Sequence, residues 1–181
     1  MMSTIQRIYK ENYLAGKKVR YCYTSEKYYE VDQEEIDKGW VFTLREECFD
    51  KPFVKSMEEN IFEEYKEGAE AYTAEVNGTE AGIMMIQEMD WNHTLLIHDL
   101  HVYPSFQKKR IGRKFIDMAK QRAVELGARS IVLETQTSNY PAIQFYLRNG
   151  FRVVGLNTIS YSNEDVVKNE VRLEMAYIVN S

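Results

Sequence analysis

The sequence predicts an α+β fold built on a mixed, mostly antiparallel twisted sheet with helices on both faces. Three observations lead there. Two runs, Ala71 to Val76 and Glu80 to Met89, flank Asn77-Gly78, a dipeptide that suits the left-handed positions of a tight hairpin turn. Ile111, Phe115, Met118, Ala119, Ala123 and Leu126 form one apolar stripe at helical spacing. Beyond Leu95 the elements alternate as strand, helix, strand, helix, strand, which implies a parallel pair inside an otherwise antiparallel sheet.

Along the first forty residues, Tyr21, Tyr23, Tyr28, Tyr29 and Val31 point to short extended pieces, and Trp40 to Cys48 reads as a strand. Asp50-Lys-Pro52 has the form of a helix start. An acidic amphipathic helix is expected from there to about Tyr65, with Glu58, Glu59, Glu63, Glu64 and Glu67 on a solvated face. The hairpin follows, then a strand over Leu95 to Tyr103 that is apolar at Leu96, Leu100 and Val102. A helix from about Arg110 to Leu126 ends at Gly127. Ser130 to Thr135 reads as a buried strand and Asn139 to Arg148 as a short helix closed by Gly150. Strands over Phe151 to Ser160 and Val171 to Ile178 complete the chain.

With 181 residues, 44% of them hydrophobic, the chain suits one compact domain that needs neither metal nor disulfide to hold its core. No apolar run is long enough to span a bilayer, and the N-terminus lacks the continuous apolar segment of a secretory signal. A cytoplasmic protein with no membrane partner is the expectation. Cys22 and Cys48 lack CxxC spacing and read as two free, buried thiols. A net charge of −5 argues against a nucleic-acid partner and suits a cationic small molecule, drawn by a field of opposite sign.

Pro104 to Arg113 joins a strand directly to a helix N-terminus. Such a turn gathers unpaired backbone N–H groups at the positive end of the helix dipole, as a pyrophosphate requires. Lys108, Lys109, Arg110 and Arg113 add cations around it. A solvated basic turn would read the same way on this stretch alone.

The ordered set is more specific. Ile97-His-Asp-Leu-His-Val-Tyr-Pro104, Gln107-Lys-Lys-Arg-Ile-Gly112, Leu133-Glu-Thr135, Asn139-x-x-Ala142-x-x-Phe145-Tyr146 and Asn149-Gly-Phe151 resemble the GNAT superfamily of N-acetyltransferases in order and spacing. The match runs over 69–178, as an acetyl-CoA-binding core, with 1–68 as a variable part of the same single domain, 1–181. Trp40-Val-Phe-Thr43, Asp90-Trp-Asn92 and Leu133-Glu-Thr-Gln136 resemble the streptothricin acetyltransferases of Gram-positive bacteria.

The resemblance implies a splayed central parallel strand pair and acetyl-CoA as cosubstrate, with no metal. Backbone groups of Leu100, His101 and Val102 would pair with the pantetheine arm, and Gln107, Lys108, Lys109, Arg110, Ile111, Gly112 and Arg113 would hold the pyrophosphate. Arg110 stands where the family usually has a loop glycine, and it fits if its backbone is already helical with the side chain turned outward. Asn139 would contact the arm, a role compatible with capping the helix ahead of Pro141. Tyr146, two helical turns on, would protonate the leaving thiolate.

A primary ammonium titrates near 10.4, so a base must take its proton. Asp99 is the candidate, with His98, Glu88 and water as alternatives; Asp99 serves equally well as a structural acid pairing with Arg or Tyr. Strand alternation puts only neighbours of like parity together, so His98 is set apart from His93 and His101 and a zinc site from the three is disfavoured. Neither cysteine has a partner that would make it a nucleophile, so transfer is expected to be direct. Trp40, Trp91 and Glu134 are candidate acceptor contacts. The acceptor is expected to be a primary amine on a cationic small molecule, with acetylation disarming a streptothricin-type antibiotic. Acetylation of a protein, peptide or polyamine amine is the alternative, as is a non-catalytic acetyl-CoA-binding module. A homodimer is left open.

Overall fold

A computed structural model describes residues 3–179. In chain order the strands are β1 (Ser3–Ile8), β2 (Lys18–Ile36), β3 (Gly39–Asn60), β4 (Glu70–Val76), β5 (Thr79–Met89), β6 (Thr94–Val102), β7 (Ser130–Gln136), β8 (Arg152–Asn157) and β9 (Arg172–Ile178). Helix α1 (Ile111–Glu125) lies between β6 and β7 in sequence, and α2 (Tyr140–Arg148) between β7 and β8. Seven strands form one sheet in the order β1-β4-β5-β6-β7-β9-β8, while β2 and β3 make a separate two-stranded sheet. The pairs from β1 through β6 are antiparallel and β6–β7 is parallel, as the alternation of elements implies.

The chain divides into two compact units. Among the described residues the first comprises 3–22, 56–133 and 176–179. Its core gathers Ile8, Val19, Ile61, Ala71, Ile83 and Met85. β5 is buried continuously from Ala81 to Ile86, the pattern of a strand covered on both faces. α1 packs on β5 and β6 and buries Ile111, Phe115, Ile116, Ala119 and Ala123, so Ile116 joins the expected stripe. The β4–β5 turn is as predicted: Asn77 (φ 52°) and Gly78 (φ 76°) are both left-handed. In β6 one extra residue, His98, is accommodated between the Met85–Asp99 and Ile86–Ile97 pairs. The parallel register runs from Thr94–Ser130 to Ile97–Leu133 and stops, although β6 continues to Val102. β6 thus leaves its β7 partner halfway, which is the expected splay.

The second unit comprises Tyr23–Lys55 and Glu134–Met175. The expected helix after Pro52 does not form: Asp50 to Asn60 is the second half of β3, and Glu64–Lys66 is a single 3-10 turn. Phe53, Met57 and Ile61 are spaced by four residues, which mimics a helical stripe, but cross-strand ring contacts decide the conformation. Phe49 packs on Tyr28 and Phe53 on Tyr23, with centroids 4.5 and 6.1 Å apart. Both cysteines are free, but Cys22 is half-buried and Cys48 exposed, so neither is the buried thiol expected. Cys48 lies on a two-stranded sheet too thin to enclose it.

Candidate functional site

Within the first unit, the stretch after β6 turns through a 3-10 segment at Pro104–Phe106 and enters α1 through Lys108 (φ 60°) and Arg110 (φ 65°). Left-handed residues in such a turn aim successive N–H groups at one point, a nest for an anion. The first backbone bond inside α1 runs from the Lys114 N–H to the Arg110 carbonyl, so the N–H groups before it face forward. Gln107 Nε2 donates to the Val102 carbonyl at 3.2 Å, and Lys109 Nζ donates to the Ser105 carbonyl at 2.8 Å. Lys108, Lys109, Arg110 and Lys114, with Ser3, line a cavity of about 510 Å³. Arg113 is turned along the helix toward Asp117 at 3.9 Å. Gly112 and the buried Ile111 open the first turn of α1. The expected helical backbone at Arg110 is corrected: with φ 65° and ψ 9° it takes the left-handed form that glycine adopts freely.

Alternation along β6 turns Asp99 and His101 inward and leaves His98, Leu100 and Val102 half-buried. Asp99 Oδ1 accepts from the Tyr21 hydroxyl at 2.7 Å, and Oδ2 accepts from Lys66 Nζ at 2.7 Å. Both side chains of the Lys66–Asp99 ion pair are almost fully buried. Burial pulls the Lys66 ammonium down, yet the hydrogen bond and charge of Asp99 outweigh it and hold its pKa above the usual range. Burial, followed by the charge of Asp99, pushes the Tyr21 phenol far above its ordinary value, so it remains a donor. The His101 ring meets Tyr21 and Tyr103 edge-on at 5.1 and 5.3 Å, and its buried Nε2 has no hydrogen-bond partner among the described residues. Burial lowers the His101 pKa against the opposing pull of Asp99. Tyr103 donates to Glu80 Oε1 at 2.7 Å, and Glu80 Oε2 pairs with Lys17 at 2.8 Å.

Of the other base candidates, His98 shares a 2.7 Å hydrogen bond with Gln87, and Glu88 is exposed on β5. Trp91, 81% exposed, sits in the turn before β6. The nine residues of β6 span about 30 Å, and that turn is at the opposite end from the basic loop.

Within the second unit, Asn139 caps α2: its Oδ1 accepts from the Ala142 N–H at 3.3 Å, ahead of Pro141. Tyr146 is buried on the same helix, its ring against Phe145 and Phe151 at 5.3 and 5.6 Å. Glu134 accepts from the Tyr161 hydroxyl at 3.3 Å and pairs with Arg172 at 2.6 Å. Trp40 is exposed just after the tip of the β2–β3 hairpin. The Tyr23 hydroxyl lies 2.8 Å from Ser138 Oγ, and Lys55 donates to Gln136 at 2.9 Å.

Sequence reasoning allowed a Tyr partner for Asp99 without placing it at Tyr21, and missed Lys66, together with Ser3 and Lys114 beside the basic loop. Lys114 had a signal, since it follows Arg113 by one position; Lys66 had none. Among the described residues, no group of three or more His, Cys, Asp or Glu side chains is placed to hold a metal ion. No described helix is long and apolar enough to cross a membrane.

Comparison with known proteins adds relatives. A family model described as the Acetyltransferase (GNAT) family matches residues 40–151. The streptothricin acetyltransferase of Streptomyces lavendulae is 33% identical over 147 residues, 77% of this chain and 76% of that protein. Streptothricin acetyltransferase A of Bacillus subtilis is 32% identical over 126 residues, 68% of this chain and 72% of that protein. Among solved structures, nourseothricin acetyltransferase has a TM-score of 0.80 at 25% identity, covering 98% of this chain and 99% of that one. A Bacillus anthracis structure in complex with acetyl coenzyme A shares the fold, with a TM-score of 0.79 at 22% identity over 99% of this chain and all of that one.

Proposed function

Because this chain belongs to the GNAT family of acetyltransferases, we propose that its acceptor is a primary amine of a cationic small molecule, a streptothricin-type antibiotic. Acetyl-CoA is the acetyl donor. Identity to two streptothricin acetyltransferases over more than two thirds of their length carries this reading. The net charge of −5 supports it, since a field of that sign draws polycations.

In this reading residues 1–181 form one GNAT domain, with 69–178 as its acetyl-CoA-binding core. The nested N–H groups from Gln107 to Arg113, with the lysines lining the cavity, take the pyrophosphate. Backbone groups of Leu100, His101 and Val102 pair with the pantetheine arm, because β6 has left its β7 partner by that point. Asn139 contacts the arm through the N–H groups that its cap does not use. The ammonium loses one proton, and the neutral amine attacks the thioester carbonyl; as the C–S bond breaks the thiolate takes a proton from the Tyr146 hydroxyl, and the second proton leaving the nitrogen restores that hydroxyl. The products are an amide and free coenzyme A. Asp99, working through water because both its oxygens are already engaged, is assigned the amine's proton. Acetylation removes one positive charge from the drug and weakens its hold on phosphate-rich targets.

A purified assay of thiol release with streptothricin tests the reading, beside expression in a sensitive bacterium. Acetylated drug and raised resistance are expected, and Tyr146→Phe should lower turnover by about 10²-fold while sparing acetyl-CoA affinity. Unchanged sensitivity together with no acetylated product would reject this acceptor.

A further inference from the structure

A row of four aromatic rings runs along the β2–β3 hairpin inside the second unit. Tyr28 lies 4.5 Å from Phe49, Phe49 is stacked on Phe53 at 5.1 Å with 14° between the planes, and Phe53 lies 6.1 Å from Tyr23. All four are half-buried, so part of each ring meets solvent. Cross-strand pairs of this kind stabilise a two-stranded sheet, and packing accounts for the contacts between the rings. It does not account for the charge beside them.

Between Tyr23 and Lys55 the chain holds nine carboxylates and five cations, so this stretch carries most of the net −5. Part of that charge is compensated locally. Glu46 pairs with Lys27, and Arg45 bridges Glu30 and Asp32. Glu47 and Asp50 are exposed, stand within two positions of Phe49, and make no ion pair among the described residues. Their field reaches Tyr28: burial first, then Glu30, Glu47 and Asp50, holds its phenol above the usual range. Each aromatic face presents the negative side of a quadrupole, and an uncompensated carboxylate next to it adds a full charge of the same sign. An ammonium or guanidinium group satisfies both at once, while an anion is repelled and a neutral group leaves the carboxylates unanswered.

We propose that Tyr28, Phe49, Phe53 and Tyr23, with Glu47 and Asp50, form a docking site for a cationic arm of the acceptor, distinct from the amine that receives the acetyl group. The proposal rests on the polycationic-acceptor reading given above. It makes the hairpin a specificity element: it selects molecules with several positive charges and leaves the chemical step to other residues.

Steady-state kinetics with streptothricin, compared between the wild type and a Glu47→Gln/Asp50→Asn variant, tests it. Loss of the two charges should raise KM for streptothricin about tenfold, with the loss appearing in KM rather than kcat, and the gap should narrow at high ionic strength. Phe49→Leu should act in the same direction. Should that variant fold poorly, the exposed charge variant still decides the question. An unchanged KM in the charge variant, with streptothricin still turned over, overturns the docking site and leaves the acceptor reading intact. If streptothricin is not acetylated at all, calorimetry with spermidine separates the two ideas. Binding to the wild type that is lost in the charge variant upholds the site and rejects the drug as acceptor; equal binding to both, or none, overturns the site.

Discussion

Arg110 holds a left-handed backbone that costs a residue with a Cβ about 1–2 kcal/mol. Glycine there removes the clash but gives the unfolded chain more freedom, so Arg110→Gly should stabilise the protein by about 1 kcal/mol. The thermal midpoint should rise by about 2–4 °C in a calorimetric scan, and an unchanged midpoint would mean that the loop strain is carried elsewhere. Asp99 offers a second test at this scale. Asp99→Asn leaves the Lys66 ammonium buried without its counter-charge, which costs about 3–5 kcal/mol. If Asp99 also takes the amine's proton, the activity of the folded variant should be lowest at neutral pH. It should recover as the pH nears the amine's own value of about 10.4. A loss of equal size at every pH would leave Asp99 as the partner of Lys66 and nothing more. The basic loop is legible in the sequence because its cations and its turn are adjacent. The partners of Asp99 are not: Tyr21 lies 78 positions away and Lys66 sits in a run of acids, so no local pattern marks either.

Strand β5 shows how tightly two elements can be matched. A Cβ at Gly82 would lie 2.6 Å from the His101 carbonyl oxygen and 3.2 Å from both the Val102 Cα and the Phe115 ring. The carbonyl and Cα are backbone and cannot swing aside, so Gly82→Ala should force β5 and β6 apart. A loss of about 1–3 kcal/mol is expected by chemical denaturation, and no loss would mean that the sheet yields where the geometry says it cannot. Elements with one dominant signal are legible, such as the Asn77-Gly78 turn and the α1 stripe. The second half of β3 is not, because its apolar spacing is helical and its strand pairing depends on rings in another part of the chain. Only contacts across the hairpin decide between the two, and a single strand's sequence does not contain them.

At the scale of the whole molecule, stability is expected to depend on pH through the buried His101 and the half-buried His98. Burial holds the pKa values of His98 and His101 below the usual range, with Asp99 opposing in both cases and Lys66 adding to the effect at His98. In the unfolded chain each titrates near about 6.5, so below that value the unfolded state binds the extra protons. The stability they confer is present above about pH 6.5 and lost as the pH falls through the lower folded values. The thermal midpoint should therefore drop between about pH 7 and pH 5, and a His98→Gln/His101→Gln variant should drop less. An identical drop in that variant would place the acid sensitivity elsewhere. Lys66 acts at the alkaline end, where its contribution is lost above about 10.4 as the pH passes its raised folded value. The hairpin has a further consequence during synthesis. Tyr23 meets Ser138 and Tyr29 meets Gln144, each pair separated by 115 residues. At about 5–20 residues added per second, the finished hairpin waits some seconds for those partners to leave the ribosome, its rings uncovered. In that interval the surplus of carboxylates on each hairpin sets like charge against like charge, which opposes contact between the uncovered rings of two nascent copies.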